Sequence, residues 1–186
     1  MATDAPTGHA PLNGGDAVER ALEAWRGARG DAAALYRALA GPPPARPYPA
    51  GRTIADLAVG DEASMSKVIS QSDIDAFARI SGDANPVHLD REYADASFFQ
   101  GRIAHGVLTA GLISAVIGMQ LPGPGTIYLS QSLRWRAPVR PGDRLLATVT
   151  VKEIVAEKNR VVLDTVVSRG GEPVLTGEAL VMPPTT

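Results

Sequence analysis

The run GVLTAGLISAVIGMQL, residues 106–121, carries no charged side chain and stops at PGPG. It is shorter than the roughly 20 residues that a bilayer-spanning helix needs. As a helix it is apolar on nearly every face, so it has to be enclosed rather than laid along a surface. The rest of the chain must therefore supply a wall around it.

That wall is legible downstream. After PGPG the pattern turns to alternation: Ile127, Leu129, Gln131, Leu133 and Trp135 would share one face of a strand. The turn PGD leads to RLLATVTVKEIV and RVVLDTVVSR, and the turn GGEP leads to VLTGEALVM. Four consecutive strands joined by short turns predict an antiparallel sheet. Upstream, EASMSKVIS alternates as a further strand candidate. SDIDAFARISGD predicts a helix, with Ser72 as cap, Asp75 three residues on, an apolar stripe of Ile74, Phe77 and Ala78, and a stop at Gly82. The fold class is α+β: one antiparallel sheet wrapped around one buried helix. Long β edges are usually paired or covered, which predicts a homodimer or higher homo-oligomer.

Residues 1–50 read as an N-terminal appendage and residues 51–186 as the main domain. The first fifteen residues have a disordered composition, DAVERALEAW and DAAALYRALAG have helical patterns, and GPPPARPYP reads as a stiff linker. The appendage could cover its own domain or dock a partner. With a formal net charge of −2 and interspersed signs, neither nucleic acid nor an anionic membrane is an expected partner. The chain has no cysteine, which removes disulfides, thiolate metal sites and a cysteine nucleophile. MATDAPTGHAPLNGGD lacks a basic start followed by an apolar run, so no secretory signal is read and a cytoplasmic location is expected.

The chemistry concentrates in SGDANPVHLD, residues 81–90. Gly82 permits a tight exit from the preceding helix, and Pro86 forces Asn85 away from helical geometry. The Asn85 side chain can tie nearby backbone groups. A stiff loop therefore holds Asp83 and His88 in a set relation, as positioned acid–base catalysis requires. Taken singly, Asp83 is a turn residue and His88 a structural histidine; the pair on one stiff loop favours function. Farther on, His105 and Gly106 open the apolar helix. Helix N-termini offer unpaired amides suited to a developing oxyanion, and Gly106 has no Cβ to keep a ligand away. His105 itself reads as an N-cap. The arginines of RWRAPVRPGDR read as a solvated strand edge, although Arg134 and Arg136 could meet phosphates.

Three stretches, SGDANPVHLD, FFQGRIAHGVLTAGLIS and LPGPGTIYLSQSLRWRAPVRPGD, together resemble the MaoC-like (R)-specific enoyl-CoA hydratases of the hot-dog fold, over roughly residues 55–183. The resemblance implies reversible hydration of a trans-2-enoyl-CoA to the (R)-3-hydroxyacyl-CoA, in fatty-acid or polyhydroxyalkanoate metabolism. It implies Asp83 as general base on the attacking water, His88 as its acid partner and the Gly106 amide as oxyanion donor. Asn85 would brace the loop, and Ser114 and Ile117 would lie at the acyl pocket. The acyl-CoA is the substrate, and no metal or other cofactor is expected. Two readings compete: a 3-hydroxyacyl-carrier-protein dehydratase, and a non-catalytic acyl-thioester-binding or scaffold subunit. A hot-dog thioesterase is disfavoured because the apolar helix contains no Asp or Glu. His88, His105 and Asp83 match a metal site in number only.

Overall fold

A computed structural model describes residues 49–185 of the chain. The expected appendage, apart from its last two residues, lies outside the described residues. The domain begins with a 3-10 turn, Ile54–Asp56. Strand β1 (Glu62–Val68) follows, then helix α1 (Gln71–Ser81) and the short helices α2 (Pro86–Leu89) and α3 (Arg91–Ala96). Helix α4 (Gly106–Met119) leads to the strands β2 (Ile127–Trp135), β3 (Arg144–Val155), β4 (Arg160–Arg169) and β5 (Glu172–Met182). All pairings are antiparallel and the spatial order is β1-β3-β4-β5-β2.

Side chains of opposite character alternate along β3 and β4, so the sheet has a buried face. Leu145, Ala147 and Val149 of β3 and Val161, Leu163 and Val167 of β4 are fully buried there. Against them α4 places Leu112, Ile113, Val116 and Ile117. This is the helix-in-sheet arrangement that the apolar run demanded.

Two details differ from the sequence reading. Helix α1 is capped by Ser70 rather than Ser72. The Ser70 hydroxyl accepts from the Asp73 amide at 3.1 Å, and the Asp73 carboxylate accepts from the Ser70 amide at 2.8 Å. The Ser70 amide and the Ser70 hydroxyl, which donates to the same carboxylate at 2.7 Å, pull the Asp73 carboxyl down to about 2, with Lys67 at 3.0 Å adding to the effect. The capping pair sits two residues earlier because Ile69, fully buried, ends the strand connection and fixes where the chain can turn. The stop at Gly82 is as expected: its φ of 78° is the left-handed geometry that glycine adopts without penalty.

The second difference is enclosure. Val107 and Met119 are each 59% exposed, and Gly111 and Ser114 lie on the same open side of α4. One sheet can cover only one side of a helix. Strand β2 is exposed on both faces, and a bulge between Tyr128 and Ser130 breaks the predicted alternation. It is also an edge of the sheet, with β5 as its single neighbour among the described residues.

Candidate active site

The loop between α1 and α2 is built by local bonds. The Asp83 amide donates to the Ser81 hydroxyl at 3.2 Å, and the Asn85 amide donates to the Asp83 carboxylate, also at 3.2 Å. Asn85 then caps α2: its side-chain oxygen accepts from the Val87 amide at 3.2 Å, with Pro86 in the first helical position. His88, one turn on, is therefore delivered inward by a four-residue helix and is buried.

His88 is held from three sides. Its Nδ1 lies 2.8 Å from the Ile103 carbonyl, which can only accept, so Nδ1 carries the hydrogen and Nε2 is left for chemistry. Its own carbonyl accepts from the Gln71 side chain at 3.2 Å. Its ring stacks on that of His105, with centroids 3.8 Å apart and planes tilted by 34°. Asp83, by contrast, has a half-exposed side chain. Donor atoms of Asp83, His88 and His105 all lie within 4.8 Å of one another. The loop thus brings acid and imidazole together, and a third residue, His105, joins them from the far end of the α3–α4 connection.

That third residue is the one the sequence reading underrated. His105 stands at the N-cap position of α4, yet its side chain makes no capping bond. Its Nε2 instead lies 2.9 Å from the Asp83 backbone carbonyl and 4.0 Å from the Asp83 carboxylate. A carbonyl accepts only, so Nε2 carries the hydrogen. The lone pair needed to ligate a metal beside Asp83 is therefore occupied, and the three-residue cluster fits a metal ion poorly. The local signal was available: Ala-His-Gly is an odd choice for a cap where Ser, Thr, Asp or Asn is favoured.

A cavity of about 330 Å³ opens beside the start of α4. Gly106, Thr109, Phe99, Ile103, Trp135 and Arg136 contribute to its lining. A Cβ on Gly106 would sit 2.5 Å from Nε1 of Trp135, so any larger residue there must displace the indole packed on it. Gly106 is the first residue of α4, where backbone amides have no partner within the helix. Asp83 and His88 are not part of this lining; His88 reaches it through the bond to the Ile103 carbonyl. Asn85 is exposed on the loop, Ser114 is exposed on the open side of α4, and Ile117 is 1% exposed within the core. Neither Ser114 nor Ile117 lines the cavity. Of the adjacent Phe98 and Phe99, Phe99 forms part of the wall and Phe98 points outward, 94% exposed. Arg136, read as a solvated edge, is exposed but also borders the cavity.

The family model for the MaoC like domain matches residues 57–170. The chain belongs to the MaoC-like family. An (R)-specific enoyl-CoA hydratase of Rhodospirillum rubrum is 52% identical over 129 residues, 69% of this chain and 90% of that protein. A 3-hydroxybutyryl-CoA dehydratase of Methylorubrum extorquens is also 52% identical over 129 residues, covering 69% of this chain and 82% of that protein. Among solved structures, an unliganded (R)-hydratase of Pseudomonas aeruginosa superposes with a TM-score of 0.70 at 47% identity, over 73% of this chain and 88% of that one. The (R)-hydratase of Aeromonas caviae involved in polyhydroxyalkanoate biosynthesis gives 0.67 at 43% identity, over 69% and 98%. The MaoC-like domain therefore has the hot-dog architecture expected from its sequence. No helix among the described residues is long and apolar enough to cross a membrane.

Proposed function

We propose that this MaoC-like domain is an (R)-specific enoyl-CoA hydratase that adds water reversibly across a trans-2-enoyl-CoA. The observation that carries the mechanism is the proximity of the Asp83 carboxylate and the His88 imidazole, which bring a carboxylate oxygen and a ring nitrogen within 4.8 Å of each other. In the hydration direction Asp83 accepts a proton from water as its oxygen bonds to C3. The C2–C3 π electrons move toward the thioester, whose oxygen gains negative charge. The unpaired Gly106 amide stabilises that charge. His88 enters the step with hydrogens on both ring nitrogens: Nε2–H delivers the proton that completes the new C–H bond at C2, Nδ1–H stays on the Ile103 carbonyl, and the proton taken by Asp83 returns to Nε2 to reset the pair. Both proton transfers come from one side of the substrate, which matches a syn addition. The product class would serve fatty-acid or polyhydroxyalkanoate metabolism.

A second copy of the chain completes the site in this reading. The open side of α4 is apolar and β2 is an unpaired edge, and one identical partner could cover both. In this reading residues 51–186 carry the catalytic activity and residues 1–50 contribute nothing to it.

The direct test is purified protein with crotonyl-CoA, followed by loss of the enoyl-thioester absorbance and chiral analysis of the product. Turnover to the (R)-alcohol is expected. No turnover with crotonyl-CoA and longer enoyl-CoAs would reject the reading, and turnover restricted to carrier-protein thioesters would favour a dehydratase.

A further inference from the structure

We propose that His105 is a positioning residue, which holds the loop of Asp83 and the ring of His88 in their working relation. The proposal rests on the hydratase reading above. The other hydrogen bonds that Asp83 makes among the described residues run to Ser81 and Asn85, within its own loop. They fix the shape of the bend but not its place relative to His88. The bond from His105 Nε2 to the Asp83 carbonyl, at 2.9 Å, reaches across 22 positions in sequence and ties that bend to the root of α4.

The same imidazole stacks on His88, and its neighbour two residues back supplies the carbonyl that fixes the His88 tautomer. The segment 103–105 thus grips both reactive residues: His88 by one carbonyl and one ring face, Asp83 by one N–H. Phe77 of α1 packs against the His105 ring, with centroids 4.9 Å apart, and limits how it can turn.

Packing alone does not explain a histidine here. The residue is 2% exposed, and its Nδ1 is buried with no hydrogen-bond partner. An unmet buried polar atom is destabilising, because it gives up its hydrogen bonds to water and gains none in return. A phenylalanine would fill the same flat space without that cost, so the Nε2–H bond is what a histidine adds.

The test compares His105→Phe with His105→Gln, using wild-type protein and crotonyl-CoA. Phenylalanine keeps a ring and loses the donor. Glutamine places an N–H near the position of Nε2. For His105→Phe, kcat should fall roughly 100-fold, the scale of a misplacement of about 1 Å, with KM changed less than about threefold. The acidic limb of its kcat/KM profile should move, and its melting temperature should not drop. His105→Gln should recover about tenfold of the lost rate. A wild-type rate and pH profile in His105→Phe would overturn the proposal. So would a folded His105→Gln variant no better than Asp83→Asn, which decides the matter even where the phenylalanine variant does not fold. An inactive wild-type chain would overturn the hydratase reading and this one together, whereas an active wild type with normal variants would remove this one alone.

Discussion

Gly106→Ala is the sharpest single perturbation that the cavity offers. The added methyl would lie 2.5 Å from Trp135 Nε1, 2.9 Å from Cε2 and 3.1 Å from Cδ1. Ordinary carbon contacts begin near 3.4 Å, so the indole must retreat by about 1 Å. It has room to do so, because Trp135 ends an edge strand and is 48% exposed. Overpacking of this kind costs roughly 1–3 kcal/mol, while replacing glycine by alanine at a helix start returns up to about 1 kcal/mol. The net loss of stability should therefore be about 3 kcal/mol or less. Activity should suffer more, because Gly106 and Trp135 border the same cavity and the Gly106 amide is the oxyanion donor in the proposed mechanism. A fall of about 100-fold in kcat is expected, within the range for disabling one oxyanion donor. The assay is crotonyl-CoA hydration, paired with tryptophan fluorescence in a Trp25→Phe background so that Trp135 alone reports. Trp135→Leu in the alanine variant should restore part of the rate by removing the collision. Unchanged fluorescence and wild-type turnover in Gly106→Ala would refute the argument.

Asp83→Asn and His88→Ala should each lower kcat by at least about 100-fold with a native circular-dichroism spectrum, and near-normal rates in both would end the acid–base assignment. Ser70→Ala should destabilise the domain by about 1 kcal/mol through loss of the α1 cap, read as the denaturant midpoint. The cap bonds hold the Asp73 carboxyl below its unfolded value, so their stabilisation is complete above about pH 4 and is lost as pH falls toward about 2. The wild-type advantage over Ser70→Ala should accordingly shrink across that acidic window in pH-dependent denaturation. Gly111→Ala distinguishes a free chain from a paired one. A Cβ there meets nothing within 4 Å in one chain, so a monomer should gain up to about 1 kcal/mol. If a second copy covers the open side of α4, sedimentation should instead show weakened self-association.

The local parts of the site were legible because they depend on residues a few positions apart. Gly82, Asn85 and Pro86 restrict the backbone between α1 and α2, and Asp83 and His88 travel with that bend. Other features were not open to such reasoning. His105 looked like a cap because the sequence shows its place on α4, not the loop 22 residues away that its ring would meet. Ile117 is expected at the acyl pocket from the resemblance, and the structure places it 1% exposed in the core and outside the lining of this cavity; helix phase relative to the sheet, which sequence does not give, decides which apolar side chains face a cleft.

By itself, the sequence determined that an uncharged apolar helix must be enclosed, that alternating strands would enclose it, and that a stiff bend would join a carboxylate to an imidazole. Those are consequences of side-chain periodicity and of backbone restriction at glycine and proline, which act over one or two turns. Tertiary structure decided that β1 lies beside β3 and β2 beside β5, leaving β2 as an edge. It also left one side of α4 open and turned His105 back onto the bend. Each of these depends on register and closure between distant segments. Their free energy comes from contacts that exist only once the sheet has formed.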